Sequence, residues 1–237
     1  MKTSLPRRVV AEFFGVGFLV AAVVGSGIMG DRLAGGNVAL ALLANTVATG
    51  AALVALIIAF GPVSGAHLNP VVSIMDAWEG GLPWPETPHY IFAQILGGIG
   101  GAAVANVMFS LPVISLSTHV RSGPAQLFSE FVATFGLMAV IWGSSRLRAN
   151  AVPFAAGAYI TAAYWFTAST SFANPAVTIA RCLSDTFAGI RPADVTWFLI
   201  AQFAGGFAAT LLFRWLVPSL PARARDVLIA HDADNAS

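Results

Sequence analysis

Two asparagines stand where an uncharged side chain can handle a small polar molecule. Asn69 opens "NPVVSIMD" and Asn174 opens "NPAVTIAR", 105 positions later. Asn is a favoured helix N-cap, and a proline in the first helical position loses nothing, because its missing N–H had no intrahelical partner. Pro70 and Pro175 therefore mark helix starts capped by Asn69 and Asn174, continued by Val71 and by Ala176. The apolar runs that follow, 71–78 and 177–183, are too short to cross a bilayer. Two such half-helices meeting head to head aim positive partial charge at one point, and the two side-chain amides add donors there. A neutral hydroxylic molecule gains hydrogen bonds at such a point, whereas a cation meets an unfavourable field. The plainer reading, that the asparagines only cap helices, suffices for one motif but not for a facing pair.

Other polar groups lie within apolar sequence. Glu12 and Glu130 sit in "AEFFGVGFLV" and "SEFVATFGLM". Intramembrane carboxylates are expensive unless satisfied. They are read either as proton-relay groups or as acceptors for the backbone N–H groups of re-entrant loops, and their matched placement favours the second. Gln94 and Gln202 are read as packing groups near the half-helices. His67, two residues before Asn69, either lines a pore or is a satisfied structural histidine. The single cysteine, Cys182, excludes an internal disulfide. No metal-ligand spacing and no nucleophile–base set is present, so neither a metal, another cofactor nor an enzymatic reaction is expected. A net charge of +1 leaves no nucleic-acid footprint.

The elements that position these residues follow from composition. The chain is 57% hydrophobic and 10% charged over 237 residues, against about 25% charged in soluble domains. Six apolar runs recur, at 9–29, 38–60, 89–111, 125–142, 151–166 and 196–217, most near the length that crosses a bilayer core. The first follows "MKTSLPRR" as a signal peptide would, but it contains Glu12 and five similar runs succeed it, so it reads as a retained helix. Lys2, Arg7, Arg8, Arg146, Arg148, Arg214, Arg223 and Arg225 fall on one side of a six-span layout, leaving Arg32, Arg121 and Arg191 in the opposite loops. By the positive-inside bias both termini are cytoplasmic.

The chain also repeats itself. "AEFFGVGFLV" pairs with "SEFVATFGLM", "LNPVVSIMD" with "ANPAVTIAR", and "AQILGGIGGA" with "AQFAGGFAAT", in the same order at offsets of 118, 105 and 108. We read one domain, 1–237, built of two halves, about 1–114 and 124–237. Three spans per half is an odd number, so the halves insert with opposite topology, and the functional site belongs near the bilayer midplane where they meet. Irregular backbone at that depth persists only where it is buried in protein or lines a water-filled cavity. The Gly- and Ala-rich stretches are read as close helix contacts. The expected architecture is an all-α membrane protein with six transmembrane helices and two re-entrant half-helices in inverted three-helix repeats.

The doubled Asn-Pro motif, the "SGAHLNP" approach and the matched Glu12 and Glu130 resemble the aquaporin (major intrinsic protein) family over nearly the whole chain. The resemblance implies one pore per monomer, commonly in a homotetramer. One departure is Val71, where the family's motif has alanine. The resemblance also implies an outer selectivity filter with an arginine three residues after the second Asn, a position held here by Val177. The remaining filter positions carry over to Thr49, Ala162 and Ser171. The family's water-selective filter combines Phe, His and Arg with a small residue; the set inferred here lacks all three, although Phe172 stands close enough to narrow the opening. Val177 resembles aquaporins of bacterial arsenic-resistance operons, which implies a bacterial inner (cell) membrane.

These features support a passive channel for small neutral solutes, such as arsenite As(OH)3 and glycerol, with some water permeability. A mainly water-selective channel and a proton-coupled secondary transporter are the alternatives. The expected partners are neutral solutes, water and the lipid bilayer. Arg181 is the remaining puzzle. It lies four residues after Val177, on the same face, and helical side chains lean toward the N-terminus. It either reaches back over Val177 toward the pore or pairs with Asp185. Its counterpart in the first half is Asp76, giving two vestibules of opposite charge.

Overall fold

The structure is a computed structural model that describes residues 3–145 and 149–217. Among the described residues eight α-helices follow one another: α1 (Leu5–Leu33), α2 (Val38–Ser64), α3 (Pro70–Glu79), α4 (Thr87–Met108), α5 (Pro124–Ser145), α6 (Val152–Phe166), α7 (Pro175–Arg181) and α8 (Pro192–Leu216). A short 3-10 turn, Ala149–Ala151, precedes α6. Five helices among the described residues, α1, α2, α4, α5 and α8, are long and apolar enough to cross a membrane. The fifth apolar run, read at 151–166, forms α6 within one residue; its 15 residues rise about 22 Å.

Local chemistry sets the boundaries. Asn37 caps α2 by accepting from Leu40 N at 3.1 Å. Asn69 caps α3, accepting from Val71 N at 2.9 Å. Asn174 caps α7, accepting from Ala176 N at 3.0 Å and Val177 N at 3.3 Å. Pro70 and Pro175 open their helices. Gly80, at φ 88°, ends α3 in the left-handed conformation that glycine adopts without steric cost.

The spanning helices touch through small residues, as membrane helices do where van der Waals contact replaces a hydrophobic drive. A Cβ on Gly97 of α4 would overlap the Phe13 carbonyl oxygen of α1, and one on Gly205 of α8 would overlap that of Phe131 of α5. Gly50 and Gly157 join α2 to α6 in the same way; a Cβ on Gly157 would lie 2.9 Å from the Gly50 carbonyl oxygen.

Neither α1–α4 nor α5–α8 is a closed packing unit. In one apolar cluster Val71, Val72 and Met75 of α3 pack with Met138 and Trp142 of α5 and Tyr164 of α6. In the other, Ala176, Val177 and Ala180 of α7 pack with Val16, Val20 and Val24 of α1 and with Ala102 and Ala105 of α4. Each half-helix thus fills a space walled by helices from the far end of the chain. One face collects ion pairs, Arg8–Glu86 at 2.8 Å and Arg214–Glu79 at 3.4 Å. The start of α1 and the end of α8 therefore share a side. Lys2, Arg146, Arg148, Arg223 and Arg225 lie outside the described residues.

Candidate functional site

The two half-helix starts face each other. Asn69 Nδ2 donates to the Ala173 carbonyl at 2.8 Å, and Asn174 Nδ2 donates to the Leu68 carbonyl at 2.7 Å. Each amide carries two N–H donors, so this reciprocal tie uses one and leaves one for the space between. Pro70, Val71, Pro175 and Ala176 are buried beside the junction rather than along the cavity. The extra methyls of Val71 have a specific home: a Cβ on Gly206 of α8 would overlap Val71 Cγ1.

The loops leading into the half-helices carry unusual backbone. Ala66 and Leu68 have φ of 46° and 50°, and Ser171 and Ala173 have 51° and 49°. Side chains other than glycine adopt this region at a cost of order 1–3 kcal/mol each, and only where the surroundings over-determine it. The buried carboxylates do so here. Glu12 accepts from His67 N at 3.0 Å and Leu68 N at 2.7 Å. Glu130 accepts from Phe172 N at 2.8 Å and Ala173 N at 2.9 Å. Gln94 Nε2 donates to Glu12 at 2.8 Å and Ser73 Oγ at 2.9 Å; Gln202 Nε2 donates to Glu130 at 2.6 Å and Thr178 Oγ1 at 2.8 Å. Both carboxylates are fully buried and outside the cavity wall.

A cavity of about 70 Å³ runs past the junction, several times the 10–15 Å³ or so of centre space that one water needs. One wall is the two loops and the asparagines, including His67, Ser171 and Phe172. The other is apolar, from Leu19 and Val23 of α1, Leu53 and Ile57 of α2, Leu137 and Ile141 of α5, and Val152, Ala156 and Ile160 of α6. Polar atoms on one side and hydrocarbon on the other suit molecules that have hydroxyls and an apolar edge.

Thr49, Ser171 and Val177 border this cavity; Ala162 does not. Ala162 is exposed on the outside of α6, which corrects the expectation that it lines the pore; Tyr164 stands in the cavity wall. Residues 152, 156, 160 and 164 recur every four along one helical stripe, and all four line the cavity. Position 162 stands two residues from that stripe, about 200° around the helix. Counting back from Asn174 crossed the "TASTSF" loop and lost the register; the spacing-of-four stripe was the signal that would have found Tyr164. Its hydroxyl donates to Thr49 Oγ1 at 3.3 Å. An aromatic-free set is therefore also corrected, because Tyr164 and Phe172 both belong to the wall.

Arg181 does not pair with Asp185, whose carboxylate accepts from Thr118 N at 2.8 Å and Thr118 Oγ1 at 3.1 Å. Arg181 is 1% exposed, borders the cavity and lies over the Phe172 ring, 3.4 Å from its centroid. Asp76 is not a vestibule charge. It is 1% exposed, lies off the cavity wall, and stands 3.5 Å from His67 Nε2. His67 Nδ1 shares a hydrogen bond with Ser73 Oγ at 3.1 Å. Sequence reasoning named Arg121 only as a loop cation; its guanidinium donates to the Gly189 carbonyl at 2.8 Å and the Ser169 carbonyl at 3.2 Å, tying two loops together.

Comparison with known proteins agrees with this geometry. The family model for "Major intrinsic protein" matches residues 1–151 and 143–236. Aquaglyceroporin AqpS of Rhizobium meliloti (strain 1021) is 55% identical over 220 residues, covering 93% of each chain. Aquaporin NIP1-4 of Oryza sativa subsp. japonica is 30% identical over 219 residues, 88% of this chain and 76% of that one. The X-ray structure of the aquaglyceroporin from Plasmodium falciparum superposes with a TM-score of 0.72 at 20% identity, covering 92% of this chain and all of the other, which shows a shared fold. The chain belongs to the major intrinsic protein family: it is an integral membrane channel for water and small solutes, not an enzyme.

Proposed function

We propose that this channel passes small neutral hydroxylated solutes, polyols such as glycerol and metalloid hydroxides such as As(OH)3, together with some water. The observation that carries the reading is the cavity itself. Two asparagine amides stand on one side, an apolar wall on the other, and valine rather than a cation at position 177. A trihydroxy solute can exchange its water hydrogen bonds for those of Asn69 and Asn174 while its remaining surface contacts hydrocarbon. The similarity to a relative named as an aquaglyceroporin supports a polyol over water alone. Tyr164 and Phe172 narrow the outer end, so the wall accommodates compact solutes better than long ones.

Asn69 and Asn174 mark the midpoint in this reading, and Thr49, Tyr164, Ser171 and Val177 form the outer filter. The chain is one channel domain of two inverted halves, about 1–114 and 124–237. It works as a homotetramer in a bacterial inner membrane with both termini in the cytoplasm. The shared side of the α1 start and the α8 end, with Arg8 and Arg214 on it, supports that orientation.

The test is uptake into proteoliposomes, with glycerol and As(OH)3 followed separately from osmotic water flow. Both solutes should equilibrate down their own gradients, and collapse of a proton gradient should leave the rates unchanged. Water flow without solute entry would favour the water-selective channel. Solute entry that stops when the proton gradient collapses would favour the transporter and return Glu12 and Glu130 to consideration as relay groups.

A further inference from the structure

We infer that Arg181 supplies the filter cation and a hydrogen-bond donor to the passing solute, in place of the residue at 177. The inference rests on the solute-channel reading above. Arg181 is the last residue of α7, one turn beyond Val177, and both border the cavity. Its Nε donates to the Ala188 carbonyl. Its guanidinium lies over the Phe172 ring, which also borders the cavity. Phe172 is held in turn: its N–H is bound by Glu130 at 2.8 Å, and Phe198 meets its ring edge-on at 5.2 Å. One guanidinium edge is therefore anchored and the planar face is supported.

Nη1 is buried and has no hydrogen-bond partner. An unpaired buried donor on a charged group is costly, so beside the cavity Nη1 takes its partner from whatever fills that space. A hydroxyl oxygen of a neutral solute is such a partner. Ser171 Oγ, also in the wall, is likewise buried without a partner, so two unsatisfied polar groups border one space. Meanwhile the positive charge opposes entry of Na+ or H3O+. Set one turn beyond the position that Val177 occupies, the cation leaves the 177 side open to a bulky neutral solute. Arg121, 5.0 Å from the same ring, is occupied by main-chain carbonyls and serves as support.

The experiment compares Arg181→Leu, Arg181→Gln and Arg181→Lys in proteoliposomes. Na+ leak and glycerol flux are each divided by water permeability in the same preparation. Relative Na+ leak should rise about tenfold in Leu and Gln and stay near the original in Lys. Relative glycerol flux should fall about threefold in Leu, which has no donor, and less in Gln. Adding Val177→Arg to Arg181→Leu should bring the leak back down, a rescue that a merely structural arginine would not allow. Equal leak in all three variants overturns the inference. Where Arg181→Leu does not assemble, Gln and Lys decide: both lose the guanidinium fork and only Lys keeps the charge, so a higher leak in Gln supports the inference and equal leak overturns it. Absence of glycerol flux in the unaltered protein refutes the solute reading instead, while the leak comparison still decides the role of the cation.

Discussion

The contact between Val71 and Gly206 yields a sharp prediction. Val71 takes the place of the alanine that the family's motif carries, and it is fully buried in the cluster that seats α3 against α5 and α6. Gly206 of α8 gives it room, since a Cβ there would overlap Val71 Cγ1. Valine is stiff at χ1 in a helix and cannot swing the methyl aside cheaply. Gly206→Ala should therefore destabilise by about 1–3 kcal/mol through overpacking, reduced by up to about 1 kcal/mol from better helix propensity. Gly98 of α4 provides the internal comparison. It faces the other half-helix, and its added Cβ would stand 3.2 Å from the Ala176 carbonyl oxygen and 3.2 Å from Ala180 Cβ, so Gly98→Ala should cost less. Val71→Ala removes the obstructing methyl, and the double variant Val71→Ala/Gly206→Ala should be more stable than the sum of the single effects by at least about 1 kcal/mol. The assay is reversible unfolding in mixed micelles, read by helical circular dichroism, with water permeability as the check on the native fold. Additive effects within about 0.5 kcal/mol would refute the reasoning, since residues that share no contact behave so.

Further expectations concern the loops and filter. Glu130→Gln keeps the shape but replaces a charged acceptor of three N–H bonds; at roughly 1.5–3 kcal/mol for a bond to a charged group, yield of folded channel should collapse, and Glu12→Gln should behave alike. Normal folding with altered proton coupling in either would contradict the scaffold role. Val177→Arg in the otherwise unaltered chain should reduce glycerol and As(OH)3 entry several-fold while water still flows, measured by stopped-flow swelling; unchanged solute entry would remove position 177 from the filter. Tyr164→Phe deletes one donor to Thr49, worth about 1 kcal/mol, and should shift the glycerol-to-water ratio more than Ala162→Val, since Ala162 lies on the exposed face of α6.

The sequence by itself determined the membrane class, the helix starts and the pairing of motifs. Those properties are read along the chain without any tertiary contact: an apolar run and an Asn-Pro cap are contiguous, and the repeat is an order of short strings. The Glu and Gln pairs were legible in part, because a carboxylate in hydrocarbon must find donors and matching offsets name the neighbourhood. Which donors it found was not. Binding to His67 and Leu68 N–H on one side and Phe172 and Ala173 N–H on the other depends on alternating left-handed residues in loops without glycine at those positions, and those angles are imposed by the carboxylates themselves. The filter shows the limit most clearly. Val177 was reached by counting along α7, where each residue turns a fixed angle, and it borders the cavity; the count to Thr49 crossed the loop at 65–68 and still fell on a cavity residue. The count to Ala162 crossed the longer loop at 167–173, where no angle is fixed, and fell on the exposed face of α6, two residues from the Tyr164 that stands in the wall. Arg181 offered two partners at equal sequence distance from its own face, Val177 four residues before and Asp185 four residues after. Only the tertiary structure chose, because Asp185 is taken by Thr118 from another loop and the Phe172 ring, positioned by Glu130 from α5, supplies the surface on which the guanidinium rests.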